Sequence, residues 1–135
     1  MNKTPNKILV VDDDQNIVNL VQRILDLEGY ESIGVLSANE ALSILSSNYQ
    51  DIDIIICDYM MPEMDGLNFV KMIKQEPRYE NIKIIMLTAI DAFDVIKQSM
   101  DLGVKDYIVK PFDPQEVLNA IEKLKHEELK KGQRG

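Results

Sequence analysis

Carboxylates, a hydroxyl and an ammonium stand where apolar runs stop. Asp12-Asp13-Asp14 follow Ile8 to Val11, Asp58 ends the run Ile52 to Cys57, Thr88-Ala89 end Ile82 to Leu87, and Lys110-Pro111 end Val104 to Val109. Clustered carboxylates repel, which raises their proton affinity unless a cation sits among them. Oxygen donors with no His or second Cys nearby favour Mg²⁺ or Mn²⁺ over zinc, and Mg²⁺ commonly takes one or two carboxylates plus waters and phosphate oxygens. A carboxylate can also attack phosphorus, and phosphoryl transfer depends mainly on positioning and on neutralising the equatorial oxygens. The metal, the Lys110 ammonium and the Thr88 hydroxyl could each hold one of those oxygens. Asp58, alone at the end of its run, is the best nucleophile candidate. Asp12 and Asp13, being adjacent, are better arranged to share a metal directly or through water.

Elements that could bring these residues together are readable in the hydrophobic pattern. The runs at 8–11, 33–36, 52–57, 82–87 and 104–109 are short and rich in Ile and Val, as in strands covered on both faces. Amphipathic segments alternate with them. Ile17, Leu20, Val21, Ile24 and Leu25 keep helical spacing up to Gly29, and Ser37 to Glu40 form a capping box for a second helix. A third helix carries Leu67, Val70, Met72 and Ile73 and ends before Pro77; a fourth carries Val95, Ile96 and Met100 and ends at Gly103. Asp113-Pro114-Gln115-Glu116 supplies an N-cap, an N1 proline and an N3 glutamate for a fifth, with Val117, Leu118, Ile121 and Leu124. Five strands alternating with five helices predict an open parallel α/β sheet covered on both faces. Ligands of such sheets bind at the carboxyl ends of the strands.

Composition restricts the class. The 135 residues suit one domain with one core, since a chain of this size buries roughly 65 to 70% of its unfolded surface. Fifteen Lys+Arg against 23 Asp+Glu give a net charge of −8, which opposes attraction to nucleic acid or an anionic membrane. The single Cys57 cannot form an intrachain disulfide, and the N-terminal MNKTPNK carries no signal-peptide pattern. With no run near the roughly 20 apolar residues that span a bilayer, the reading is a cytoplasmic protein. From His126 to Gly135 the apolar stripe is lost, so this polar tail reads as a fraying helix end, a linker stub or a solvated terminus.

The set "ILVVDDD", "CDYMMPEMDG", "LTA" and "DYIVKPF" resembles, in order, the landmarks of the response-regulator receiver domain of two-component signalling. The resemblance covers about residues 7–125, the core of a receiver domain spanning 1–125. It implies a flavodoxin-like (βα)5 doubly wound sheet of strand order 2-1-3-4-5. It also implies a signalling switch rather than an enzyme, accepting a phosphoryl group from a histidine kinase or histidine phosphotransfer protein. Self-phosphorylation from small phosphodonors and intrinsic autodephosphorylation are expected with it. By the resemblance Asp58 is the phosphoacceptor and Asp13 a direct Mg²⁺ ligand; Asp12 binds through water, and the Met60 backbone carbonyl is a further ligand. Thr88, the Ala89 backbone and Lys110 contact the phosphoryl group, Tyr107 is the aromatic that swings inward as Thr88 moves, and Lys110-Pro111 carries a cis peptide. The output is a partner-binding face of the fourth helix, fifth strand and fifth helix, offered to a downstream output protein or domain, with a phosphorylation-dependent homodimer left open. The chain could stand alone or form the N-terminal part of a longer response regulator.

Single residues also have plainer readings. Asp14 suits a helix N-cap, Asp65-Gly66 a turn and helix start, and His126 a surface site. Cys57 should point away from Asp58 into the core by strand alternation. Ser99 and Val104 replace the Ala usual at both places in the family, and Phe93 fits a partner surface or the core equally. A metal-dependent phosphohydrolase using an aspartyl-phosphate is the alternative function; against it, Met60 stands two positions after Asp58, where a second aspartate would be required. A receiver reduced to a scaffold is a third reading, which the complete set of Asp12, Asp13, Asp58, Thr88 and Lys110 opposes.

Overall fold

The computed structural model describes the backbone of residues 7–134 and the side chains of residues 7–127. Strands β1 (Ile8–Val11), β2 (Ser32–Val35), β3 (Ile54–Cys57), β4 (Lys83–Thr88) and β5 (Asp106–Val109) alternate with helices α1 (Gln15–Leu27), α2 (Ala38–Asn48), α3 (Gly66–Gln75), α4 (Phe93–Asp101) and α5 (Pro114–Arg134). All four strand pairings are parallel, and the order is β2-β1-β3-β4-β5. This is the predicted flavodoxin-like topology.

Strand alternation divides the interior into two layers. Leu9, Val11, Ile55, Cys57, Ile84 and Met86 face α2 and α3, where Ala41, Leu45, Phe69, Val70 and Ile73 meet them. Ile8, Val10, Ile54, Ile56, Ile85 and Leu87 face α1 and α5, where Val21, Leu25, Val117 and Ile121 close the second layer. Because β1, β3 and β4 are apolar at both parities, each can be covered twice, and every fully buried side chain of this size contributes ~1.5–3 kcal/mol. Among the described residues no helix is long and apolar enough to cross a membrane.

Caps set most helix starts where the sequence signals them. Asp14 accepts the Asn16 N–H, Ser37 accepts the Glu40 N–H at 3.1 Å, and Asp65 accepts the Asn68 N–H at 2.8 Å. Asp113 and Glu116 exchange bonds reciprocally: Gln115 N–H donates to Asp113 and Asp113 N–H donates to Glu116. Gly29 and Gly103 follow α1 and α4 at φ 84° and 97°, the left-handed region that glycine occupies without a Cβ clash.

Several strand boundaries differ from the apolar runs. β3 begins at Ile54, not Ile52, because Tyr49–Asp51 form a 3-10 turn and Ile52 N–H bonds back to the Tyr49 carbonyl. β5 begins at Asp106, not Val104, because Val104 N–H bonds to the Ser99 carbonyl and closes α4. β2 and β4 each lie one residue off the predicted run, with Leu36 donating its N–H to Glu40 instead of joining β2. Burial without strand pairing explains these runs: Ile52, Ile82 and Val104 are core residues of the turns that feed the strands. The polar tail is helical in backbone through Arg134 as part of α5, and its side chains from 128 onward lie outside the described residues.

The sheet's edge strand β2 is clamped onto α1 through a glycine. A Cβ at Gly34 would lie 2.4 Å from Val18 Cγ1 and 2.7 Å from Gln22 Oε1. Gly34→Ala is therefore expected to destabilise the fold by ~1–3 kcal/mol through overpacking. Urea denaturation checks this as a lower midpoint with an unchanged slope; an unaltered midpoint would show that α1 yields freely.

Candidate functional site

Backbone bonds carry the strand ladder one residue past each carboxyl end and so fix the chemically active residues. Asp12 N–H bonds to the Val35 carbonyl at 3.2 Å, Asp58 N–H to the Val11 carbonyl at 3.0 Å, and Lys110 N–H to the Thr88 carbonyl at 2.8 Å. Each side chain therefore leaves the sheet at a defined height. Asp12, Asp58 and Thr88 are 2%, 5% and 0% exposed, while Asp13 is exposed.

These positions bring the predicted acids together. Ligand oxygens of Asp12, Asp13 and Asp58 all lie within 4.8 Å of one another. Lys110 Nζ donates to Asp12 Oδ2 at 2.7 Å and reaches Asp58 Oδ2 at 3.5 Å. The sequence placed Lys110 near a phosphoryl group; in this structure it pairs first with Asp12. Asp12 Oδ1 accepts the Asp14 N–H at 2.9 Å, and Asp58 Oδ1 accepts the Met60 N–H at 3.3 Å. The Lys110–Pro111 peptide is cis.

Charge and burial compete within this cluster. Burial pushes the Asp12 carboxyl up, against hydrogen bonds from Lys110 and the Asp14 N–H that stabilise its anion, and the Asp58 charge pushes it further up. Burial acts against the Lys110 ammonium, but its bond to Asp12 and the charges of Asp58 and Asp12 outweigh that and hold it above the ordinary lysine range. An all-oxygen set of three carboxylates, one of them open to solvent, fits a hard divalent cation such as Mg²⁺ and offers no nitrogen or sulfur for zinc. Cys57 is buried in the core layer opposite, its Sγ 3.4 Å from Met86 Sδ, and burial raises its thiol pKa.

Two loops complete the rim. In the loop after β4, Thr88 Oγ1 accepts the Ile90 N–H at 3.4 Å, and Tyr107 Oη donates to the Ile90 carbonyl at 2.7 Å. That tyrosine bond ties β5 to the loop, and nothing in the sequence spacing signals it. Met60, in the loop after β3, is 58% exposed. Glu63 in the same loop adopts φ 71° and accepts a bond from Asn39 Nδ2 at 3.0 Å. Gly66 matters more to the site than its place in a turn suggests. Its N–H bonds to the Tyr59 carbonyl at 2.7 Å, and a Cβ there would lie 2.5 Å from the Asp58 carbonyl oxygen. The Asp-Gly pair at a helix start was the available signal, but the close approach depends on a tertiary neighbour.

Gly66→Ala is expected to cost ~1–3 kcal/mol in thermal or urea unfolding, because backbone atoms of the Asp58 loop must move. Amide shifts at Asp58 and Tyr59 in NMR spectra would report the movement, and their constancy would contradict the close packing. The Tyr107 phenol is raised to about 12 from 10.0 by burial, then by the charges of Asp58 and Asp91. A raised acid pKa means the folded state keeps the proton longer, so this residue's contribution to stability is lost as pH rises from 10.0 towards about 12. In an absorbance titration, Tyr107→Phe should remove the last-ionising phenol; a high-pH component left intact would show that Tyr107 ionises normally.

Comparison with known proteins agrees with this geometry. Residues 8–122 match the family model of the response regulator receiver domain. The response regulator SaeR of Staphylococcus aureus is 39% identical over 117 residues, covering 87% of this chain and 49% of SaeR. The chain spans about half the length of the curated relatives it matches. Among solved structures, the chemotaxis protein CheY4 of Vibrio cholerae superposes with TM-score 0.80 at 32% identity, covering 87% of this chain and 96% of that one. A CheX–CheY complex from Borrelia burgdorferi with BeF3 and Mg²⁺ has TM-score 0.83 at 30% identity, covering 90% of each chain. The chain therefore belongs to the response regulator receiver domain family, the receiver module of two-component signalling.

Proposed function

We propose that Asp58 is the phosphoacceptor of this receiver, taking a phosphoryl group from a phosphohistidine of a histidine kinase or phosphotransfer protein. The convergence of Asp12, Asp13, Asp58 and Lys110 from three strands is the observation that carries this reading. An Asp58 carboxylate oxygen attacks phosphorus, the P–N bond to the donor imidazole breaks, and an acyl phosphate forms on Asp58. Asp13, Asp58 and the Met60 carbonyl would hold Mg²⁺, with Asp12 acting through water. A cation held there would supply charge neutralisation for the transferring group's equatorial oxygens. The Borrelia burgdorferi relative, solved with Mg²⁺ and BeF3, supports the same assignment here.

The residues around the acids then convert charge into shape. Lys110 moves from Asp12 to a phosphoryl oxygen, and the Thr88 hydroxyl and Ala89 N–H approach another. Since Thr88 Oγ1 is bonded to Ile90 N–H and Tyr107 to the Ile90 carbonyl, movement of Thr88 is passed to Tyr107 on β5. α4 is the element best suited to respond, because Ser99 is its sole buried residue and Phe93 is 76% exposed. The face of α4, β5 and α5 would be read by an output protein or domain that favours one arrangement of it.

Incubation with Mg²⁺ and acetyl phosphate, followed by intact mass, tests the assignment. One phosphoryl group per chain is expected, and none in Asp58→Asn; label retained in that variant would overturn it, and multiple turnover of phosphomonoesters would favour a hydrolase. Met60 and Ile90 flank the phosphoacceptor with apolar side chains that cannot orient a hydrolytic water. The phosphorylated form is therefore expected to be long-lived, and the Met60→Asn, Ile90→Glu double variant to lose phosphate faster. Unchanged or slower loss would refute that role.

A further inference from the structure

Glu63, in the loop between β3 and α3, is the sole non-glycine among the described residues with a positive φ, at 71°. Met64 N–H bonds to the Pro62 carbonyl at 2.8 Å across it, so the three residues make a γ-turn in its rare, strained form. A glycine would take up that φ without cost, yet the position carries a glutamate. Strain of this kind persists only where the surroundings over-determine it, and it gathers at functional sites. The glutamate supplies what a glycine could not. Its Oε2 accepts a hydrogen bond from Asn39 Nδ2 at 3.0 Å, and Asn39 lies in the first turn of α2.

The strained turn belongs to the loop that reaches the acids. At one end Met60 N–H bonds to Asp58 Oδ1 at 3.3 Å and Met61 is buried in the core layer beneath α2 and α3; at the other, Gly66 N–H bonds to the Tyr59 carbonyl at 2.7 Å. Between them Pro62 and Glu63 are exposed. Among the described residues, the bond from Asn39 is the one side-chain hydrogen bond that fastens this exposed stretch to another element. Glu63 itself is not one of the acids whose oxygens come together.

We propose that the Asn39–Glu63 bond is a latch that holds the strained turn, and with it the Met60 peptide, in register with the acid cluster. Glu63 and Asn39 are then positioning residues for the cation, which rests on the reading of Asp58 and the Met60 carbonyl given above. A carbonyl serves as a ligand only while its peptide keeps one orientation, and Mg²⁺ demands near-ideal geometry of the ligands it takes. Released from α2, the γ-turn would relax and the Met60 peptide would turn with it. Because the latch is open to water, losing it should weaken cation binding about fivefold, the net worth of one ordinary hydrogen bond.

Mn²⁺ affinity, read from the paramagnetic resonance of the free ion at fixed ionic strength, tests the latch beside urea midpoints and metal-free NMR spectra. Asn39→Ala and Glu63→Gly should each weaken Mn²⁺ binding about fivefold and shift the Met60 amide before any metal is added. Glu63→Gln removes the charge but keeps the acceptor, so it should bind as the unaltered chain does. Glu63→Gly also removes the strain, so its urea midpoint should stay level or rise while affinity falls, a split that a purely structural role would not produce. Unchanged affinity in Asn39→Ala, an equal loss in Glu63→Gln, or affinity and midpoint falling together in Glu63→Gly would each overturn the latch. If the unaltered chain binds Mn²⁺ and is phosphorylated on Asp58, such a result sinks the latch alone; an unaltered chain that binds no Mn²⁺ sinks the reading of the acids and the latch with it.

Discussion

An ammonium held between two buried carboxylates organises the active edge of this domain. Asp12, Asp58 and Lys110 come from β1, β3 and β5, and β4 lies between the last two. From β5 to β1 is three strand spacings, roughly 14 Å in a flat sheet. A long lysine stem, an aspartate side chain and a 2.7 Å bond close that distance as the strand ends converge. Without the cation, two buried carboxylates would face each other in a region of low dielectric, where one would have to take up a proton. Lys110 therefore offsets the repulsion between the two acids.

The same arrangement leaves the cluster room for a second cation. Asp13 faces solvent while Asp12 and Asp58 are enclosed, so the cluster is open on one side and satisfied by lysine on the other. On the proposed function, a divalent ion entering from the open side and a phosphoryl group arriving at Asp58 would both alter what Lys110 contacts. The loop after β4 is the next link, because Thr88 and Tyr107 grip the two sides of the same Ile90 peptide neighbourhood. Beneath, Gly66 packs closely against the Asp58 and Tyr59 backbone and Met86.

Much of this was legible in the sequence for a specific reason. Apolar runs that stop on Asp, Thr or Lys mark strand ends directly, and parallel topology then sends all such ends to one edge. Caps were equally clear, since Asp14, Ser37, Asp65 and Asp113 act through bonds spanning only two or three residues. What was not legible depends on distance in the fold. Ile52 and Val104 look like strand residues because they are buried, yet turns rather than ladders hold them. Lys110's preference for Asp12 and Tyr107's bond to Ile90 join separate segments of the chain, and the tight seat of Gly66 depends on how its loop folds back on Asp58 and Tyr59; periodicity carries no record of any of them.

Titration with Mn²⁺, followed by NMR line broadening, asks most directly whether the converging acids form one cation site. Broadening should appear first at Asp12, Asp13, Asp58 and Met60, saturate at one ion per chain, and vanish in Asp13→Ala. Broadening centred elsewhere, or unaffected by loss of Asp13, would contradict a metal-dependent switch built on these strand ends.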